Sequence, residues 1–141
     1  MPTSNTVQVT TAVNNNATTI LPADTTTLKD LFTAGTGGSL VKSIGACSND
    51  TATVELGLFW YNGSTAYQIG HVTIPAASGA TVGSKTVTVL DKFSCPATKV
   101  DNSGNTILQL LAGHKLQVGV NATVTTAKTV TVFAQGEDFG A

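Results

Sequence analysis

Alternation with a period of two runs through almost the whole chain, and it constrains the fold more than any other feature. Val7, Val9, Thr11 and Val13 fall on one face of the first segment. Val54, Leu56, Leu58 and Trp60 do so within residues 52–61, and Val87 and Val89 within residues 85–90. Leu116, Val118, Val120 and Ala122 share a face, as do Val130, Val132 and Ala134. Successive side chains of a strand point to opposite sides, so each run fits a strand with one face in a core and one face out. Charged residues make up only 11% of the chain. Thr, Asn, Ser and Gly take their place, and β-branched Thr suits a pleated surface. Together these features predict an all-β protein.

The turn signals agree with that reading. Asn62-Gly63 lies between two strand patterns, which predicts a type I′ hairpin with both central residues at φ > 0. In residues 67–74, Tyr67 and Ile69 share one face, whereas Val72 and Ile74 share the other. A bulge near Gly70-His71 reconciles the halves, because one extra residue flips the facing. Pro75 ends that strand, residues 76–83 read as a loop, and residues 101–105 read as a turn. Thr27 followed by Asp30 resembles a capping box, and Leu28, Leu31 and Phe32 have helical spacing. A short helical turn is therefore expected near residues 27–33.

Eight or nine short strands at regular spacing predict an antiparallel β-sandwich, with a jelly roll as first choice and an immunoglobulin-like sandwich as second. Its core is expected to hold Val54, Leu56, Leu58, Trp60, Val118 and Val132. A chain of 141 residues is one domain's length. Residues 23–141 are assigned to the sandwich, and residues 1–22 to an N-terminal arm or edge strand. As an arm, they would add a strand to a neighbouring chain, and their deletion would abolish that binding while leaving the sandwich folded.

Charge and motif content narrow the function. The formal net charge is −1, and all seven basic residues are scattered lysines with no arginine. Nucleic-acid binders need clustered Lys and Arg, so no nucleic-acid partner is expected. There is no signal-peptide pattern and no apolar run long enough to span a bilayer, which predicts a soluble protein made in a cytoplasm, without membrane contact. Cys47 and Cys95 read as free thiols, although sequence leaves a disulfide open. His71 and His114 lie in no motif that supplies a nucleophile or an orienting acid. Neither cysteine nor histidine spacing suits zinc. The 101–105 turn lacks the Gly at loop position six and the Glu at position twelve of a calcium loop, with Ala112 where the Glu belongs. Gly35-Thr36-Gly37-Gly38-Ser39 matches no phosphate-binding pattern. The expectation is a non-enzyme with no cofactor and no metal.

Aromatic residues are the strongest candidates for contact with a partner. If Trp60 faces inward, then Phe59 and Tyr61 face outward, and Phe133 does so on the last strand. Exposed aromatics often mark an interface.

Two long stretches carry a family resemblance. KDLFTAGTGGSLVKSI (Lys29 to Ile44) with VELGLFWYNGSTAYQIGHVTIPA (Val54 to Ala76), and LAGHKLQVGV (Leu111 to Val120) with TVTVFAQGEDF (Thr129 to Phe139), resemble small virion proteins of tailed bacteriophages. Within that group the chain looks most like a capsid cement, or decoration, protein. The resemblance implies a β-sandwich or jelly-roll fold and a structural role on the head exterior of the virion. It also implies binding to the major capsid protein, and a homo-oligomer (dimer or trimer) that bridges capsomers. It brings no catalytic residues. A tail, collar or fibre component of the same kind of virion is a second reading. A carbohydrate-binding module is a third, because Trp60, Tyr61 and Tyr67 lie near one hairpin.

Overall fold

The computed structural model describes residues 9–81, 83–90, 98–100 and 103–140. Ten strands follow in order: β1 (Thr10–Ile20), β2 (Lys29–Thr33), β3 (Ser39–Ser48), β4 (Val54–Tyr61), β5 (Ala66–Ile74), β6 (Val87–Thr88), β7 (Thr98–Val100), β8 (Thr106–Leu110), β9 (Lys115–Val120) and β10 (Val130–Phe139). One sheet has the order β1-β10-β3-β8-β7, with β6 also on β3, and the other has the order β2-β9-β4-β5. All named pairs are antiparallel. The protein is therefore an all-β sandwich of two sheets, as the alternation predicts.

The chain pairs in a nested way. β1 pairs with β10, β2 with β9, β3 with β8 and β4 with β5. Each of the first four strands thus crosses to the opposite sheet from its predecessor. Between the sheets, alternate residues meet in one continuous hydrophobic cluster. Val54, Leu56, Leu58, Val118 and Val132 are buried there as expected, while Trp60 packs half-buried against its margin.

The helical turn expected near residues 27–33 is not present. Residues 29–33 form strand β2, and the short helical element is a 3-10 turn at Pro22–Asp24. The register of β2 against β9 runs Lys29↔Val118, Asp30↔Gln117, Phe32↔Leu116, so Leu31 is an inserted residue. This bulge lets the consecutive residues Leu31 and Phe32 both reach the core, each fully buried. A strand with an inserted residue produces the same local spacing as one helical turn.

The β4–β5 hairpin forms, but not with a type I′ turn. Pairing closes at Tyr61↔Ala66, which leaves a four-residue loop in which only Gly63 has positive φ. The Asn62 side-chain oxygen accepts the amides of Ser64 and Thr65, at 3.0 and 2.9 Å, and this local closure replaces the two-residue turn. The bulge expected in β5 is present at Ile69, between the pairs Leu58↔Gly70 and Phe59↔Gln68. β9 ends at Val120, so Ala122 is an exposed loop residue and not part of the core face.

The first valine run also departs from its expected facing. Val7 lies outside the described residues, but Val9 and Val13 are 64% and 74% exposed, and Thr11 is exposed with them. Ile20, fully buried, sets the parity of β1, and its register against β10 puts Thr18 and Asn16 opposite inward-facing Val132 and Ala134. With a period of two, the odd-numbered residues from Val13 to Thr19, beyond the irregularity at Thr11, must then face away from the core. Asn14 remains on the inner side, where its amide donates to Asp138 Oδ1 (2.8 Å) and to the Thr33 carbonyl (3.1 Å). Buried Ser39 donates to the same Asp138 oxygen at 2.5 Å. Residues 10–20 are thus an integral strand held along most of its length by β10.

Candidate functional site

Phe59 and Tyr61 stand on the outer face of the β2-β9-β4-β5 sheet, on the opposite parity to buried Leu56 and Leu58. Both are half-buried. Lys115 Nζ sits 5.0 Å from the Tyr61 ring centroid and bonds Asp30 Oδ2 at 2.9 Å. Gln117 Nε2 donates to the other Asp30 oxygen at 2.7 Å. These bonds, Gln117's first and then that of Lys115, hold the Asp30 carboxyl below the usual aspartate range.

Next to Phe59 the face dips. Gly57 and Gly119 are directly opposite each other on β4 and β9, and His71 is opposite Gly57 on β5. With no side chains at two adjacent central positions, neighbouring side chains can lie close against the sheet, and both glycines are buried beneath them. The Phe59 ring leans over Gly57, with Cε2 2.9 Å from where a Gly57 Cβ would stand, and Leu28 closes over Gly119 in the same manner. The result is a groove of about 450 Å³, bordered by Glu55, Phe59, Gln68, His71, Asn121 and Leu28. The sequence signal was available, because Gly57 and Gly119 each interrupt a strand pattern at an outward position. What sequence reasoning lacked was the register that sets them side by side.

Phe133 lies on the other sheet, also facing outward, 37% exposed and draped over Gly45. The three aromatics expected at an interface therefore do not form one patch: Phe59 and Tyr61 occupy one outer face and Phe133 the opposite one.

A third feature is the edge strand β1. Among the described residues it pairs only with β10, and its register is unbroken from Ala12 to Ile20. The strand carries no charged residue and no proline. Natural sheets blunt exposed edges with charge, proline, bulges or short length. The other edges have such devices. β2 is short, bulged and carries Lys29 and Asp30, β5 is bulged at Ile69, and β7 has three residues. β1 has the irregularity at Thr11 near its start, and toward its end Lys29 Nζ donates to the Thr19 carbonyl (2.7 Å) and Asn16 Oδ1 accepts the Ala17 amide (3.0 Å).

Trp60, Tyr67 and His114 gather at one end of the sandwich, a cluster that the sequence does not announce. Trp60 Nε1 donates to His114 Nδ1 at 3.1 Å, and the Trp60 and Tyr67 ring centroids are 6.0 Å apart. His71, by contrast, is exposed on β5. Cys47 is half-buried on β3. Cys95, and with it the question of a disulfide, lies outside the described residues, as do Asp101 and Asn102 of the predicted turn. Among the described residues no group of three or more His, Cys, Asp or Glu side chains is placed to hold a metal ion. No helix is long and apolar enough to cross a membrane. No protein-family model matches the chain, and a comparison with curated proteins finds no match.

Proposed function

We propose that this chain is a structural virion protein that binds the outer surface of a phage capsid and cements neighbouring capsomers. The observation that carries the reading is the edge of β1, unpaired by any strand on its outer side among the described residues: a long, uncharged, proline-free strand with Val13 in solvent and Val9 exposed just ahead of it. An edge of this kind is an aggregation hazard when free and a docking site when a partner covers it. The nested pairing of first strand with last, and so inward to β4 with β5, supports a jelly-roll reading of the sandwich, an architecture used by viral capsid and lectin domains. Fold likeness bears on architecture alone, and the capsid assignment comes from the sequence resemblance. Low net charge suits dense packing beside identical copies, and many modest contacts repeated over a shell add up through multivalency. Dimers or trimers bridging capsomers follow from the same reading. A tail, collar or fibre component would share every one of these features.

Two measurements test the proposal. Immunogold microscopy on particles from the source should label heads evenly. Label restricted to the tail or neck selects the alternative, and unlabelled particles, with an antibody proven on the free protein, remove the virion reading. The edge is tested by the double variant Val13→Lys, Ala17→Lys, in which both residues face solvent on β1. Rebinding to particles stripped of the protein should be lost. Stability should stay within ~0.5 kcal/mol of the parent, as for other surface substitutions. Full rebinding by the double variant would show that shell contact does not use this edge.

A further inference from the structure

The groove over Gly57 and Gly119 faces away from the β1 edge, and the assembly reading leaves it without a role. We propose that it is a binding site for a neutral pyranose sugar. Its volume of about 450 Å³ falls within the usual range for small-ligand sites, and its lining mixes one aromatic ring with a few polar side chains.

Four observations set the ligand class. The paired glycines let Phe59 and Leu28 lie close against the sheet, so the floor is low and apolar and a compact ring can seat on it. Phe59 supplies an apolar wall for the C–H face of a sugar. Glu55, Gln68, His71 and Asn121 supply side-chain donors and acceptors around the rim, the partners that hydroxyl groups need. Of these, Glu55 is already oriented, because Thr73 Oγ1 donates to its Oε1 at 2.6 Å.

Other ligand classes fit less well. No lysine lines the groove and Glu55 is its carboxylate, so phosphates and other anions meet no counter-charge. The groove crosses the middle strands of the sheet, whose backbone groups are bonded to neighbours on both sides, so an extended peptide finds no ladder to join. Glycoside hydrolysis needs a pair of carboxylates, and among the described residues Glu55 is the single one at the groove, so the site is proposed as one of binding, not cleavage.

The test is saturation-transfer NMR on the full chain with neutral methyl pyranosides of glucose, galactose, mannose and N-acetylglucosamine, followed by amide-shift titration. Binding should shift the amides of Gly57, His71 and Gly119, and should not change between low and high salt. Phe59→Ala should weaken binding about tenfold, equivalent to ~1.4 kcal/mol. Gly119→Val should abolish binding by pushing Leu28 out into the groove. The new Cβ meets the end of the Leu28 side chain at 2.8 Å, with the nearest backbone atom, the Thr26 carbonyl oxygen, at 3.7 Å, and a thermal melt checks that the fold persists. The proposal is overturned if no pyranoside binds, if only charged sugars do, if the shifts centre on Trp60 and Tyr67, or if folded Gly119→Val binds as the parent does. None of these outcomes bears on particle attachment, which the β1 variant tests separately.

Discussion

Replacing Phe32 with alanine is expected to destabilise the protein by about 3–5 kcal/mol, the usual cost of removing a buried phenylalanine. Phe32 is fully buried and among the largest side chains in the core. It reaches that position only because Leu31 is inserted in β2, so both residues face inward. Its Cζ lies 3.1 Å from where a Gly136 Cβ would stand, so the ring packs against the bare backbone of β10. No neighbouring side chain at Gly136 can expand to fill the space left behind. In urea, the midpoint should fall with an unchanged slope, because the native surface is barely altered. Leu28→Ala is the control, since Leu28 is half-buried and covers Gly119 on the outer face. It should cost about 1 kcal/mol, in proportion to its smaller buried area. Equal losses at the two sites would contradict the bulged strand and restore a helical turn with a shared apolar face.

Asp50 is the second residue whose replacement should have a large effect. It sits in the β3–β4 connection at 1% exposure, and it joins three loops. Its carboxylate accepts the Ala52 amide at 3.0 Å and the Thr125 amide at 2.9 Å. Its own amide donates to Ser48 Oγ at 3.1 Å, and its carbonyl accepts the Ala77 amide at 2.9 Å. Asp50→Ala leaves the Ala52 and Thr125 amides without their acceptor. Ala52 and Thr125 are exposed, so water can reach their amides, and the loss is that of the hydrogen bonds to the carboxylate, about 2 kcal/mol in total.

The same contacts make Asp50 a source of acid sensitivity. Hydrogen bonds from Thr125, hydroxyl first and then amide, hold its carboxyl below the ordinary aspartate value, with a further contribution from the Ala52 amide. A carboxyl that is more acidic folded than unfolded contributes stability that is fully present above the unfolded value of ~3.9 and disappears as pH falls through the folded one. Stability should therefore drop below about pH 4. Asp50→Asn, which cannot ionise, should lower stability at neutral pH and flatten that acid limb. Urea melts across the acid range measure both effects. An acid limb as steep in Asp50→Asn as in the parent would assign the sensitivity to Asp24, Asp30 and Glu137, whose carboxyls are also held low by hydrogen bonds.

The chain alone determined the class of fold and much of the core. Period-two runs at Val54 to Trp60, Leu116 to Val120 and Val130 to Ala134 place apolar side chains on one face of a strand, and hydrophobic burial does the rest. The bulge in β5 was legible for the same reason, because the apolar parity changes across it. Facing and neighbourhood were decided by tertiary structure. Nothing local says that Val13 of β1 stands in solvent, because parity is fixed seven residues later, where Ile20 enters the core beside Val130. Nothing local distinguishes an inserted strand residue at Leu31 from a helical turn, because both put Leu31 and Phe32 on one apolar side. Only strand register sets Gly57 opposite Gly119, gathers Asp50 with Thr125 and Ala77, and separates Phe133 from Phe59 and Tyr61. Patterning is a property of a few consecutive residues, whereas register and sheet order are set by contacts between residues far apart in the chain.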